Sequence, residues 1–182
     1  MRKVCVFCGS RSGIKPVYEQ AAIALGQTLA KNKIAVVYGG AKSGLMGVLA
    51  DTVLSLDGQV IGVMPKALAD REILHDSLTS LLIVDSLMER KQKMIELADG
   101  FIALPGGTGT LDELAEVFCL AQIGEHQKPI AILDVDAYFQ PWLQLFDHMV
   151  KQGFLKKEAR HLLLVESEPQ KLIQRMRSRL SM

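Results

Sequence analysis

The sequence predicts an α/β fold, namely a single-domain, Rossmann-like, doubly wound parallel sheet of about seven strands flanked by helices. Three observations predict it. Short apolar runs are continuously hydrophobic rather than alternating, which is typical of parallel strands buried on both faces. Longer amphipathic stretches separate these runs, and strand–helix alternation implies right-handed β-α-β units. A chain of 182 residues has the usual length of one domain, so we take residues 1–182 as a single domain.

Each predicted strand is a short apolar run bounded by polar or turn-forming residues. The runs cover residues 3–8, 34–38, 59–64, 81–85, 101–104, 129–133 and 162–165. Amphipathic helical patterns cover residues 16–31, 44–57, 87–98, 110–123, 138–151 and 168–179. Residues 65–80 lack a clean periodicity, and we expect a loop with a short helix there, near the ligand-binding edge of the sheet.

Composition and charge exclude several classes of protein. The formal net charge is +1, so nothing global indicates a nucleic-acid partner. No stretch reaches the ~18 apolar residues of a membrane span.

Three cysteines form no disulfide framework, and we expect a reducing cytoplasm. Cys5 and Cys8 form C-x-x-C within a strand, where they should point to opposite faces. The four histidines are scattered without metal-ligand spacing, so we expect no metal site.

Ligands of open α/β sheets bind at the carboxyl ends of the strands, and three of the predicted strand ends are rich in glycine. Cys8-Gly9-Ser10 ends the first strand, where Ser10 either donates to a phosphate or caps a turn. Gly39-Gly40 ends the second strand and leads to Gly44 and Gly47. These glycines either hold part of a ligand or let the following helix pack closely.

Residues 104–113, LPGGTGTLDE, form the third glycine-rich strand end. Glycines at 106, 107 and 109 let backbone N–H groups close on a ligand, and a helix start adds free amides and a positive dipole end. With the hydroxyls of Thr108 and Thr110, this loop would bind a phosphate; the alternative is a plain strand-to-helix turn. Neither the dinucleotide fingerprint nor the P-loop pattern fits, which argues against dehydrogenase or kinase chemistry.

Two charged positions have both a structural and a functional interpretation. Thr110-x-x-Glu113 fits a capping box, but a carboxylate there would also lie one helical turn from a phosphate cradle. Ser86-x-x-Glu89 fits a second capping box, followed by Arg90 and Lys91, whose charges oppose the helix dipole. Arg90 could clamp a phosphate or a base through its planar fork. The alternative is an ordinary surface pair with Glu89 or Glu96.

The run 105–113 matches P-G-G-x-G-T-x-x-E. Together with Gly39-Gly40, Gly44-Leu45-Met46-Gly47, Cys8-Gly9-Ser10 and Arg90-Lys91, it resembles the Lonely Guy family of cytokinin-activating nucleotide hydrolases, whose members often carry the label "lysine decarboxylase-like". The resemblance implies hydrolysis of the N-glycosidic bond of a nucleoside 5′-monophosphate to a free base and ribose 5-phosphate. It also implies no metal or organic cofactor, and a homodimer or higher homo-oligomer.

The same resemblance assigns roles to individual residues. Arg90 and Glu113 become the catalytic pair. The implied substrate contacts are Glu72, Lys91, Gly106, Gly107, Thr108, Gly109 and Thr110, besides the loop candidates Ser10, Gly39 and Gly40. Lysine decarboxylation normally uses pyridoxal phosphate on a lysine, and no lysine of this sequence is marked for that role.

The sequence departs from the family pattern at three places, which bear on the base more than on the reaction. Leu87-Met88 stand where Met-His is usual, Cys119-Leu120 replace Thr-Trp, and Ala41 replaces a glycine. Cytokinin ribotides and AMP are both candidate substrates. Two other functions stay open: a catalytically silent nucleotide-binding module, and a ribosyl or deoxyribosyl transferase.

Overall fold

In a computed structural model, residues 1–69 and 74–181 are described, and they form seven strands and eight helices. The strands are β1 Lys3–Phe7, β2 Ala35–Tyr38, β3 Val60–Pro65, β4 Ser80–Val84, β5 Phe101–Ala103, β6 Ile130–Leu133 and β7 Leu163–Glu166. The helices are α1 Pro16–Lys31, α2 Gly44–Leu54, α3 Lys66–Ala69, α4 Leu87–Leu97, α5 Thr108–Gln122, α6 Gln140–Lys151, α7 Lys157–Arg160 and α8 Pro169–Leu180.

All strands pair in parallel in one sheet of order β4-β3-β2-β1-β5-β6-β7, which confirms the predicted doubly wound architecture. Helices cover both faces and bury two apolar cores. Val4 and Val6 of β1 pack with α1, α2 and α8 in one core, whereas Cys5 and Phe7 pack with α4, α5 and α6 in the other. The continuous apolar runs therefore arise because both faces of each central strand are covered.

The cysteines of the C-x-x-C sequence lie on opposite faces, as predicted. Cys5 and Cys8 belong to different cores and are both unpaired and buried. Burial raises the pKa of each thiol, and the nearby Glu113 carboxylate raises it further. Two protonated thiols on opposite faces do not form a redox pair.

Several helix boundaries differ from the sequence-based predictions. Helix α5 begins at Thr108 rather than at residue 110, and α2 ends at Leu54 rather than at 57. The short helix expected within 65–80 is α3. Helix α7 was not predicted, because four residues are too few to show a helical period. Within the described residues, every helix is too short or too polar to cross a lipid bilayer.

The strand order reverses direction around β1, so the loops after β1, β2 and β5 meet at one place. Gly9 N donates to Pro105 O at 3.0 Å, and Met46 N donates to Gly9 O at 3.3 Å. A Cβ on Gly44 would lie 2.3 Å from the carbonyl carbon of Ser10, and Gly44 has a φ of +60°. Only glycine fits there, which brings the start of α2 against the β1 loop.

Candidate active site

A cavity of about 320 Å³ opens where these loops meet, at the carboxyl edge of the sheet. This is the switch point at which open α/β sheets bind ligands. Of the residues predicted from sequence, the cavity is lined by Ser10, Gly39, Arg90, Gly107, Thr108, Gly109, Thr110 and Glu113.

The first turn of α5 forms one wall of the cavity. Gly107 is the N-cap residue, and no side chain of the described residues caps the helix. The first helical bond of the turn runs from Leu111 N to Gly107 O. The N–H groups of Thr108, Gly109 and Thr110 therefore have no partner among the described residues. Such free amides, together with the positive end of the dipole, suit a bound anion.

The glycines of this turn differ in what they are needed for. A Cβ on Gly106 would lie 2.1 Å from Thr110 Oγ1, so a side chain at 106 would displace Thr110. At Gly107 and Gly109, no described atom lies within 4 Å of an added Cβ, and neither has a positive φ. Protein packing therefore does not require glycine at these two positions. The space above them is available to a ligand.

Gly109→Ala is expected to separate ligand binding from stability. Alanine in the first turn of α5 should stabilise the fold by up to about 1 kcal/mol, because it lowers the entropy of the unfolded chain. The same methyl group would project into the cavity and raise KM for a phosphorylated substrate. Thermal unfolding and steady-state kinetics check this pair of effects. A KM equal to that of the wild type would show that no ligand occupies the space above Gly109.

Glu113 projects into the cavity one turn beyond the free amides. Its residue surface is 9% exposed. The capping-box interpretation of Thr110-x-x-Glu113 is wrong, because the N-cap is Gly107 and Thr110 is the third residue of the helix. Burial raises the pKa of Glu113 from 4.5 to about 7, the Arg90 charge opposes that rise, and Asp112 adds to it. A carboxyl group with a pKa near 7 is suited to proton transfer at neutral pH.

Arg90 reaches the cavity from α4. Its Nε donates to Val63 O at 3.1 Å, and its Nη1 lies 3.7 Å from Glu113 Oε1. A Cβ on Gly39 would lie 2.1 Å from Arg90 Nη2. The missing side chain at Gly39 therefore leaves room for the guanidinium group. The alternative of a surface pair with Glu89 or Glu96 is wrong, since the partner is the buried Glu113.

The second capping box is confirmed at its first residue. Ser86 Oγ accepts from Glu89 N at 3.1 Å. The Glu89 carboxylate accepts from Asp85 N at 2.8 Å, one residue before the N-cap. Helix α4 thus begins where the sequence predicts, and its start places Arg90 at the cavity.

Other predicted residues lie outside the cavity wall. Gly40 follows Gly39, has a φ of +85°, and accepts a hydrogen bond from His75 N at 3.1 Å. Gly106 precedes Gly107 and does not line the cavity. Lys91 forms ion pairs with acidic residues of α5. Glu72 lies outside the described residues. Substrate contacts at these four positions stay predictions.

Sequence reasoning missed the apolar part of the cavity wall. Besides Gly9, these lining residues are Val6, Cys8, Met46, Leu68 and Leu87. Of the positions that depart from the family pattern, Leu87 alone lines the cavity among the described residues. Leu87 is 55% exposed and Met88 is 77% exposed. The sequence signal for this part of the wall was the apolar pair Leu87-Met88 at a predicted helix start, which departs from the family pattern.

Comparison with known proteins gives the family. The profile of a family described as "possible lysine decarboxylase" matches residues 46–176. A probable cytokinin riboside 5′-monophosphate phosphoribohydrolase of Oryza sativa subsp. japonica is 45% identical over 175 residues, which are 96% of this chain and 72% of that protein. The chain belongs to the family of cytokinin riboside 5′-monophosphate phosphoribohydrolases.

A second phosphoribohydrolase of this family, from Arabidopsis thaliana, is 42% identical over 175 residues, covering 96% of this chain and 81% of that protein. The phosphoribohydrolase fold is also found in the molybdenum cofactor binding protein of the phototrophic bacterium Rippkaea orientalis. The TM-score is 0.72 at 20% identity, over 98% of this chain and 97% of that one. This second likeness concerns the fold alone.

Proposed function

We propose that this protein hydrolyses the N-glycosidic bond of a purine nucleoside 5′-monophosphate, of the cytokinin or adenine type, to the free base and ribose 5-phosphate. One observation carries the proposal: a buried Glu113 carboxyl group faces Arg90 in the same cavity as the amides of α5 that have no partner among the described residues. The names of the curated relatives support the same reaction.

The free amides are proposed to hold the 5′-phosphate. The N–H groups of Thr108, Gly109 and Thr110 lie together at the start of α5, where they could bind one anion, and the helix dipole favours negative charge there. Glu113 follows Gly109 by four residues, so both lie on the same face of α5. Phosphate binding would therefore place the ribose beside Glu113, and binding energy far from the reacting bond would orient that bond.

Breaking a ribosyl C–N bond builds positive charge on the sugar, as in glycoside hydrolysis. We propose that the ionised Glu113 stabilises this charge and takes a proton from a water molecule that attacks C1′. The bond between C1′ and the base nitrogen breaks with its electron pair on the base. The proton that Glu113 removed then reaches the base, so the carboxylate is regenerated. Arg90 lies where it can stabilise the departing base or the phosphate.

The pH dependence of kcat/KM is expected to follow the ionisation of Glu113. Because its pKa is raised to about 7, the carboxylate that the reaction needs forms as the pH rises from 6 to 8. We expect kcat/KM to increase about tenfold per pH unit well below 7 and to level off above 8. A series of initial rates between pH 5 and 9 measures this. A rate that is flat from pH 5 to 7 would contradict a role for Glu113 as the base.

Product analysis tests the proposed function. Incubation with AMP and with its N6-isopentenyl analogue, followed by chromatography, should give free base and ribose 5-phosphate. A silent binding module would leave both substrates intact. A transferase would give a new nucleoside when a second base is present. Decarboxylation of lysine would release CO₂, but no lysine lines the described part of the cavity, where a Schiff base would have to form.

We also propose a homodimer or a larger homo-oligomer. Ile83, Leu87 and Met88 are exposed apolar side chains at the end of β4 and the start of α4, close to the cavity mouth. We take this group as the candidate interface, since a contiguous apolar patch on a protein surface often marks an interaction site. Size-exclusion chromatography with light scattering decides the state, and a 20.0 kDa particle would contradict the dimer.

We propose that residues 1–182 act as one hydrolase domain, because the cavity draws on strand ends from β1, β2 and β5. Cys5, Cys8 and Cys119 are free, which supports a reducing compartment such as the cytoplasm.

A further inference from the structure

Lys91 lies next to Arg90 on α4 but points to α5 instead of the cavity. Its Nζ lies 3.0 Å from Asp112 Oδ2 and 2.8 Å from Glu116 Oε2. Asp112 and Glu116 are four residues apart and therefore share a face of α5. The Lys91 side chain is 21% exposed, so this cluster is partly shielded from solvent.

The cluster joins the two helices that carry the proposed reacting groups. Arg90 and Lys91 are consecutive on α4, and Glu113 follows Asp112 directly on α5. The 3.7 Å separation of Arg90 Nη1 from Glu113 Oε1 therefore depends on how the two helices are placed. Lys91 connects them within one residue of each group.

We propose that Lys91 is a positioning residue that ties α4 to α5 through Asp112 and Glu116, and so sets the spacing of Arg90 and Glu113. This inference rests on the proposed function. It is an alternative to the role as a substrate contact that family resemblance implies for Lys91, and the kinetic tests below separate the two. The ion pair with Glu116 raises the pKa of Lys91, partial burial lowers it, and the ion pair with Asp112 raises it again.

Removing either side of the tie should have the same effect on turnover. Lys91→Met and the double variant Asp112→Asn/Glu116→Gln are each expected to lower the plateau value of kcat by roughly 10–100-fold, because a small misplacement of reacting groups is that costly. KM should stay within about twofold of the wild-type value, since no phosphate contact is lost. Combining all three substitutions should add little further loss, as expected of residues that act together.

The pH profile separates positioning from electrostatics. The Lys91 charge lowers the pKa of Glu113, whereas Asp112 and Glu116 raise it. Lys91→Met should therefore move the inflection of kcat/KM to higher pH, and the double acid variant should move it to lower pH. If both variants lose plateau kcat while their inflections shift in opposite directions, Lys91 acts by positioning α4 against α5. A loss that disappears at the plateau pH would overturn it.

A charge reversal provides the rescue. Lys91→Glu/Glu116→Lys places a lysine between two carboxylates again and should recover most of the lost kcat. Lys93→Met is the matched control, because Lys93 pairs with Glu96 within α4 at 3.3 Å and should leave kcat unchanged. A Lys91→Met variant with raised KM and normal kcat, beside an unaffected acid variant, would identify Lys91 as a substrate contact and reject the proposal.

The wild-type protein distinguishes the two proposals. If it releases no base from any nucleotide, the proposed function fails. The positioning role of Lys91 is then tested by the distance between Arg90 and Glu113 in a crystal structure of the variant. A crystal structure of Lys91→Met in which Arg90 and Glu113 lie farther apart than in the wild type supports the tie. An unchanged separation rejects it whatever the activity.

Discussion

Glu113→Gln is expected to lower kcat by about 10²–10⁴-fold, the usual contribution of a general base or a charge-stabilising carboxylate. Glutamine keeps the shape and can still accept a hydrogen bond, but it carries no negative charge and removes no proton from water. KM should change little, because the phosphate is proposed to bind at the amides of Thr108 to Thr110. Steady-state rates on the nucleotide found by product analysis measure the loss.

The same substitution should make the protein more stable at alkaline pH. The carboxyl group has a usual pKa of 4.5 and a folded-state pKa of about 7. The folded state thus binds this proton more tightly, so stability falls as the pH rises from 4.5 through 7. Above pH 7 the cost reaches about 3 kcal/mol, since each tenfold change in proton affinity is worth about 1.4 kcal/mol. Glutamine removes that cost, and no gain is expected below pH 4.

Glu125→Gln is a suitable control, because Glu125 is an exposed residue after α5 and should alter neither kcat nor Tm. A Glu113→Gln variant with normal turnover would end the proposed mechanism. A variant that loses both turnover and stability at pH 8 would show instead that Glu113 supports the fold. Loss of activity together with gain of stability is typical of a group held in an unfavourable place for function.

The sheet could be predicted because a strand buried on both faces has a simple sequence pattern, a continuous apolar run. Residues such as Val4 to Phe7 are apolar without alternation, and β-α-β handedness leaves few topologies for such runs. The strand ends then place the glycine loops after β1, β2 and β5 at one edge. The position of the cavity follows from topology alone.

Helix starts show why local patterns are weaker guides. Ser86-x-x-Glu89 and Thr110-x-x-Glu113 have the same capping-box spacing, yet only the first caps a helix. A capping box needs an extended residue at its first position. Gly107 already ends the extended segment, with a φ of −89° and a ψ of −157°, so α5 begins before Thr110. Glu113 is then left free to face the cavity.

Contacts between elements could not be read from the sequence. Three contacts join residues that are 21 to 27 positions apart in the chain. They are the ion pairs of Lys91 with Asp112 and Glu116 and the hydrogen bond from Arg90 to Val63 O. Their charges suggest surface partners on the same helix, which is the usual expectation at spacings of three or four. The approach of α4 to α5 and β3 decides these partners, and that approach depends on packing across the whole sheet.

Substitution of Arg90 is expected to cause the second large loss of kcat. Two substitutions separate the contribution of its charge from that of its planar geometry. Arg90→Met should lower kcat by about 10²–10³-fold, the usual loss for one preorganised donor to a developing charge. Arg90→Lys keeps the charge, but its single ammonium nitrogen cannot both bind Val63 O in place of Nε and occupy the positions of Nη1 and Nη2 in the cavity. The lost charge-assisted bonds are worth about 1.5–3 kcal/mol, so kcat should fall about tenfold to 10²-fold.

The pH profiles of these two variants should differ, because the Arg90 charge lowers the pKa of Glu113. In Arg90→Met the inflection of kcat/KM should move above 7, whereas in Arg90→Lys it should stay near 7. Arg175→Lys is the matched control: Arg175 donates to Val165 O at 3.1 Å and to Glu166 at 2.6 Å, far from the cavity. If Arg90→Lys turns over as the wild type does, the planar fork has no part in the reaction and a point charge suffices. If Arg90→Met raises KM and leaves kcat unchanged, Arg90 binds the ground state and transition state equally, and Glu113 alone carries the chemistry.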